Sequence, residues 1–219
     1  MQAPLSKADY VYRVLLEEIR TARLPGGTAL RASAIAERLG VSVTPVREAL
    51  RRLERDRLVR YEPHHGATVA DLSEGALEEF YGVRAVLEGF AARLAAAKIT
   101  PGQLERLRAL HESMVRDHAE GRLQALGAKS RELHLAVADI GGPAFLGQQV
   151  RAVREAVPIP AEASLWLDPD LAARHLRAHE RLLAALAAAD GEAAEQIMAE
   201  HVRQGAADRV ARRRQSQQT

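Results

Sequence analysis

The chain has 219 residues, 47% of them hydrophobic and 27% charged, with a formal net charge of +2, a globular composition that excludes a fibrous or disordered protein. It contains no cysteine, which removes disulfides, thiolate metal sites and a cysteine nucleophile. Its aromatic residues are one Trp, four Tyr and three Phe, while Ala and Leu fill the apolar positions, a mixture that favours helices over strands and predicts a mainly α fold.

Split at residue 72, the charge becomes informative. Residues 1–72 hold 12 Lys and Arg against 9 Asp and Glu, whereas residues 73–208 hold 15 against 20. The opposite signs predict two modules with different partners, one over 1–72 and one over 73–214, followed by a disordered tail over 215–219. No apolar run approaches the ~18 residues of a membrane span, and the first residues lack the apolar centre of a signal peptide. A cytoplasmic protein without a membrane partner is the expectation.

In residues 8–22, Val11, Val14, Leu15 and Ile19 fall on one helical face, and the following Leu-Pro-Gly-Gly stops that helix. A short second helix over 33–39 turns Ile35, Ala36 and Leu39 inward and ends at Gly40. A third begins near Thr44-Pro45, a capping hydroxyl followed by a proline at the first helical position, with Val46, Ala49, Leu50 and Leu53 as its buried stripe. Two short alternating segments, LVRYEP and ATVADL, then read as a hairpin. Helix, helix, turn, helix, hairpin is the order of a winged helix-turn-helix. From Ser73 the strand pattern disappears, and helices are predicted at 74–97, 102–120, 122–139, 144–156, 161–167, 170–189 and 191–213, an antiparallel all-α helical bundle. Thr100-Pro101 and Asp168-Pro169 mark two of the starts.

A helix set into the major groove reads bases with residues near its N-terminus, while arginines along it meet phosphates. The third helix offers Ser42, Thr44 and Arg47 at that end and Arg51 and Arg52 further along. Arg47 is the leading candidate, because a guanidinium bonds both acceptors of a guanine edge or clamps a phosphate. The hairpin tip, His64-His65-Gly66, supplies the wing, with Gly66 permitting the turn. An Arg- and Glu-rich helix face is by itself ordinary solvated surface; the ordered set of elements favours DNA.

Residues 8–72, above all GVS-x-TPVREALRRLE within ALRASAIAERLGVSVTPVREALRRLERDRLVRYEPHHGATV, resemble the N-terminal domain of GntR-type bacterial transcription regulators. The helical remainder resembles the FCD effector domain of the FadR branch. The resemblance implies a homodimer whose winged domains bind double-stranded DNA at a short palindromic operator, most often as a repressor, with a small molecule in each bundle tuning affinity. It places Arg31, Arg47 and Gly66 at DNA-contacting positions. Val43 departs from it, since the family commonly has Arg there; if that contact was to a phosphate, the salt dependence flattens by about one unit of slope.

Six of the eight histidines lie in the helical half, and His134, His179 and His201 are each flanked by the apolar stripe of their own helix. Imidazoles brought together from separate helices bind divalent transition metals, although spacing alone leaves this open. The resemblance sharpens it: FCD domains often hold a metal with an Asp and a His four residues apart plus two further His. The histidines match His134, His179 and His201, but the Asp position is Ser130, so three imidazoles remain and the anionic ligand is lost. The expectation is a weakened zinc or nickel site, completed by water or an effector carboxylate; the alternative is that the histidines contact the effector directly. His175, one turn before His179, is a backup. Arg84 matches a pocket-facing arginine of the family and makes a small carboxylate the leading effector, unless it pairs with Glu78, Glu79 or Glu88. Tyr81, Phe90 and Trp166 line the cavity or belong to the core.

Three histidines on zinc with an open position also describe a hydrolytic site. No HExxH, nucleophile elbow, phosphate loop or GxGxxG accompanies them, so no enzyme is expected. An architectural DNA binder without effector control is the remaining alternative, and the large acidic helical half speaks against it. The arginine-rich end, Arg212 to Arg214, reads as solvated.

Overall fold

The computed structural model describes residues 6–20, 23–24, 26–56, 58–62, 66–70, 74–156 and 164–217. The chain divides into two compact units, Met1–Leu72 and Ser73–Glu155 with Ala163–Thr219.

The first unit contains α1 (Lys7–Arg20), β1 (Ala29–Leu30), α2 (Ala32–Leu39), α3 (Val43–Arg55), β2 (Val59–Glu62) and β3 (Gly66–Val69). Val11, Leu15 and Ile19 of α1 bury against Val46, Ala49, Leu50 and Leu53 of α3, joined by Ile35 and Ala36 of α2 and by Leu30, Val59, Ala67 and Val69 of the sheet. Full burial of such a side chain contributes about 1.5–3 kcal/mol, so these stripes fix how the three helices meet. Gly40 closes α2 in the left-handed region at φ 64°, where its N–H reaches the carbonyls of Ala36 and Glu37.

Two details differ from the sequence reading. α3 starts at Val43 with Ser42 as N-cap and no side-chain cap bond, so Thr44 lies inside the first turn and Pro45 is the third helical residue. Pro45 costs nothing there, because first-turn N–H groups have no intrahelical acceptor. The hairpin also has a third strand: β1 pairs antiparallel with β3 (Ala29 opposite Thr68), giving the order β1-β3-β2. Two residues are too few to show an alternating pattern, which is why β1 was illegible.

The second unit holds α4 (Glu74–Ala96), α5 (Pro101–Ala119), α6 (Leu126–Gly141), α7 (Leu146–Ala156), α8 (Pro169–Ala187) and α9 (Gly191–Gln217). Thr100 and Gln103 form a reciprocal capping box, and Asp168 accepts from the N–H groups of Asp170 and Leu171. At Gly141 a Cβ would collide with the carbonyl of Ala91, so glycine lets α6 close on α4. Three expected elements are corrected. Residues 123–125 form a 3₁₀ turn before α6. The helix expected over 161–167 is a 3₁₀ turn at Leu165–Leu167, started by Ser164 accepting from the N–H of Trp166, with 161–163 outside the described residues. α9 continues to Gln217, so 215–217 are helical rather than a disordered tail, while 218–219 lie outside the described residues. That end is also engaged: Arg212 donates to the carbonyl of Ser164 and Arg214 pairs with Glu74 at 2.7 Å. Among the described residues no helix is long and apolar enough to cross a membrane.

Candidate nucleic-acid interface and metal centre

The burial of Val46, Ala49, Leu50 and Leu53 fixes the opposite side of α3 outward. Arg47, Glu48, Arg51 and Arg55 are exposed there, with Ser42 and Thr44 exposed at its N-terminal end. Arg31 is exposed as the N-cap residue of α2. Gly66 is exposed at the start of β3 with φ 80°, a conformation that disfavours any side chain. His65 and His64 lie outside the described residues. Arg52 departs from the expected set. It donates to Asp9 at 2.5 Å and its guanidinium lies 4.3 Å over the ring of Tyr12, so it clamps α3 to α1. Hydrogen bonds from Ser6 and then Arg52 hold the Asp9 carboxyl below its ordinary range.

In the helical unit, α6, α8 and α9 bring His134, His179 and His201 together, with one ligand atom of each within 4.8 Å of the others. The Nε2 of His134 lies 3.3 Å from that of His179 and 3.1 Å from that of His201. Zn–N bonds of 2.0–2.1 Å in a tetrahedron set an N···N edge of about 3.3–3.4 Å, so both separations suit one ion. The donor set fits a divalent transition metal. Ser130 is buried one turn before His134 on α6, where its neutral hydroxyl supplies no charge.

Glu88 makes this set directional. Its Oε2 accepts from His134 Nδ1 at 2.6 Å, and a carboxylate only accepts, so His134 carries its hydrogen on Nδ1 and presents a lone pair at Nε2. The same Oε2 accepts from Arg154 Nη1 at 2.6 Å, and Oε1 from Arg84 Nε at 2.8 Å. Burial opposes the charge on Glu88, but Arg154, His134 and Arg84 outweigh it and hold the carboxyl well below its ordinary range. Burial pushes His134 down to about 4 and Arg154 to about 10, and carries His179 and His201 well below the usual histidine value. The imidazoles are neutral, the state that coordinates metal.

Of the alternatives open for Arg84, the structure contains the ion pair with Glu88; Glu78 and Glu79 are exposed. Among the described residues no partner takes the terminal nitrogens of Arg84, and two guanidiniums face one carboxylate, leaving one positive charge in excess. Tyr81 is buried beneath Arg84, 4.7 Å from its guanidinium carbon, but its hydroxyl already accepts from Arg209 at 2.6 Å. Trp166 packs against His175 and His179 at 5.4 and 5.7 Å, whereas Phe90 is exposed and belongs to neither core nor site. Arg154 and Asp208 were missed by the sequence reading. Arg154 sits in a polar stretch of α7 with nothing local to mark it, while Asp208, seven residues after His201 on α9, could have been found as a face-sharing acid.

The model for the gntR family of bacterial regulatory proteins matches residues 7–69, and that for the FCD domain matches residues 79–204. A protein of Paenarthrobacter nicotinovorans described as a probable D-xylose utilization operon transcriptional repressor is 35% identical over 89% of this chain and 85% of its own length. The HTH-type transcriptional regulator McbR of Escherichia coli K12 is 29% identical over 88% of each chain. The solved structure of E. coli McbR/YncC superposes with a TM-score of 0.72 at 27% identity, covering 95% of this chain and 99% of that one.

Proposed function

The chain belongs to the gntR family of bacterial regulatory proteins, as a transcription regulator with an FCD domain and not an enzyme, and from that premise we propose that it is a repressor whose hold on a palindromic operator is set by a small organic acid. The observation that carries the DNA part is the outward face of α3: Thr44, Arg47 and Arg51 are exposed opposite a fully buried stripe, with Ser42 at its mouth, Arg31 on α2 and Gly66 on the wing. His65, outside the described residues, belongs to the same proposed contact set by its place in sequence just before Gly66. Arg52 is left out of it, because its charge is spent on Asp9.

The organic-acid part rests on Arg84 and the histidines. A carboxylate meets the two free ends of the Arg84 guanidinium and offsets the surplus positive charge. His134, His179 and His201 hold zinc or nickel more weakly than a site with an added carboxylate; the metal, when bound, supplies a Lewis-acidic anchor for the acid. Tyr81 shapes the pocket from beneath Arg84.

The working form is a homodimer. Val83, Val86 and Phe90 of α4 form an apolar stripe that is 51%, 64% and 46% exposed, spaced to fit a like helix. Selection of binding sites from a random duplex pool tests the reading. The wild type is expected to enrich one short, near-palindromic sequence and Arg47→Ala to lose it while staying folded. Enrichment without sequence preference would favour an architectural binder, and equal enrichment by Arg47→Ala would overturn the role of α3.

A further inference from the structure

The buried polar groups of the helical unit form a continuous row, Glu88, His134, His201, His175 and Asp208, contributed by α4, α6, α9, α8 and α9. Its contacts are 2.6 Å from Glu88 Oε2 to His134 Nδ1, 3.1 Å from His134 Nε2 to His201 Nε2, 3.3 Å from His201 Nδ1 to His175 Nδ1, and 3.4 Å from His175 Nε2 to Asp208 Oδ2. The last lacks hydrogen-bond alignment, but neither atom has another partner among the described residues, and both are buried. The other oxygen of Asp208 is occupied, accepting from Arg174 at 3.1 Å and Gln204 at 2.9 Å.

The hydrogens of this row can be counted. Three neutral imidazoles bring three N–H groups, the carboxylates at both ends only accept, and there are four gaps, so one gap has no hydrogen. Glu88 takes one hydrogen from His134. Asp208, also a charged acceptor and stronger than a neutral ring, takes one from His175 Nε2. Two lone pairs then face the single hydrogen of His201, His175 Nδ1 at 3.3 Å and His134 Nε2 at 3.1 Å. With that hydrogen on Nδ1, toward His175, the gap left over is the one between His134 Nε2 and His201 Nε2, which His179 Nε2 also faces.

We propose that His175 and Asp208 are positioning residues of the metal centre: acting through His201, they hold its ring in the tautomer with a bare Nε2, as Glu88 does for His134. The proposal rests on the reading of His134, His179 and His201 as the metal donors. A centre whose own donors are all neutral thus keeps one carboxylate directly behind His134 and another behind His201 with a single ring, His175, between them. Paired carboxylates of this kind set both the tautomer and the basicity of ligating histidines.

Asp208→Asn tests the direction of the row. Arg174 and Gln204 hold the carbonyl oxygen of the new amide, so its NH2 faces His175 and makes His175 Nε2 an acceptor. The row then reverses, and His201 carries its hydrogen on Nε2. Long-range proton–nitrogen correlation of the histidine rings in metal-free protein is expected to show His201 as the Nδ1–H tautomer in wild type and Nε2–H in the variant. Zinc affinity, measured by competition with a chromophoric chelator, is expected to fall about 10–100-fold, the usual effect of losing such a partner. His175→Phe keeps the ring against Trp166, removes both nitrogens, and is expected to lose zinc affinity to the same order should Asp208→Asn not fold. An unchanged His201 tautomer, or zinc affinity within threefold of wild type in both variants, overturns the positioning role and leaves the three-histidine reading standing. No zinc binding by the wild type overturns that reading and the proposal with it.

Discussion

Glu88→Gln is the most demanding perturbation of the helical unit. The carboxylate is 2% exposed and accepts from Arg154, Arg84 and His134 at 2.6, 2.8 and 2.6 Å. The amide has nearly the same shape, but it removes the anion that pairs with both guanidiniums and turns an NH2 toward one of three donors. Breaking a buried ion pair on one side costs about 3–5 kcal/mol, because a charge stays buried without a partner. At about 2–4 °C per kcal/mol for a chain of this size, the melting temperature is expected to fall by about 6–20 °C. Thermal unfolding of chelator-treated protein at pH 7, followed by circular dichroism, measures it. Replacing all three charges together (Arg84→Met, Glu88→Leu, Arg154→Met) is expected to cost less than Glu88→Gln alone, since no charge is then stranded. A fall of under about 2 °C for Glu88→Gln, about 1 kcal/mol or less, would refute the reasoning.

The same groups set the acid response of the metal-free protein. His134 titrates near 4 when folded and at 6.5 when unfolded, so its contribution is fully present above pH 6.5 and is lost as pH falls toward 4, at up to about 1.4 kcal/mol per pH unit. Glu88, whose folded value is also depressed, adds its loss only below about pH 4.5. A metal-free stability flat from pH 7 to 5 would contradict this. Ser130→Asp restores an anion one turn from His134; zinc affinity is expected to rise at least tenfold, and chelator competition showing no gain would mean that Ser130 does not face the centre. Val86→Asp puts a charge in the exposed stripe of α4, and sedimentation is expected to show monomers with unchanged helix content; a persistent dimer would place the interface elsewhere.

The first unit was legible because each of its helices has one buried and one exposed side. The stripe Val46, Ala49, Leu50, Leu53 predicted which arginines of α3 face out, and all but one do. Arg52 flanks the stripe, and what engages it is something the period cannot supply: its partners, Asp9 and Tyr12, are about 40 residues away in sequence. A boundary position is decided by what the neighbouring helix offers. The start of α3 was misplaced by two residues because Ser42 and Thr44 are equally good cap residues, and their order relative to Pro45 does not separate them.

The centre was legible only in its ligands. Family resemblance pointed to three histidines, and the structure brings their Nε2 atoms together; what resemblance did not convey was the charge around them. Arg84 and Glu88 are one turn apart on α4, so their pairing was among the possibilities, but α4 is apolar on most sides and its period does not say which turn faces which helix. Arg154 and Asp208 come from α7 and α9, at sequence distances of 66 from Glu88 and 33 from His175; nothing local distinguishes Arg154 from a solvated charge, and only the seven-residue step from His201 marks Asp208. Both matter for the same physical reason. A neutral ring becomes a metal ligand only when something fixes which nitrogen holds the hydrogen, and that choice is made by the group behind the ring. On the proposed reading, Ser130 in place of an aspartate takes away a ligand but not the carboxylates that point the remaining imidazoles at one place, so the centre is expected to be weakened rather than abolished.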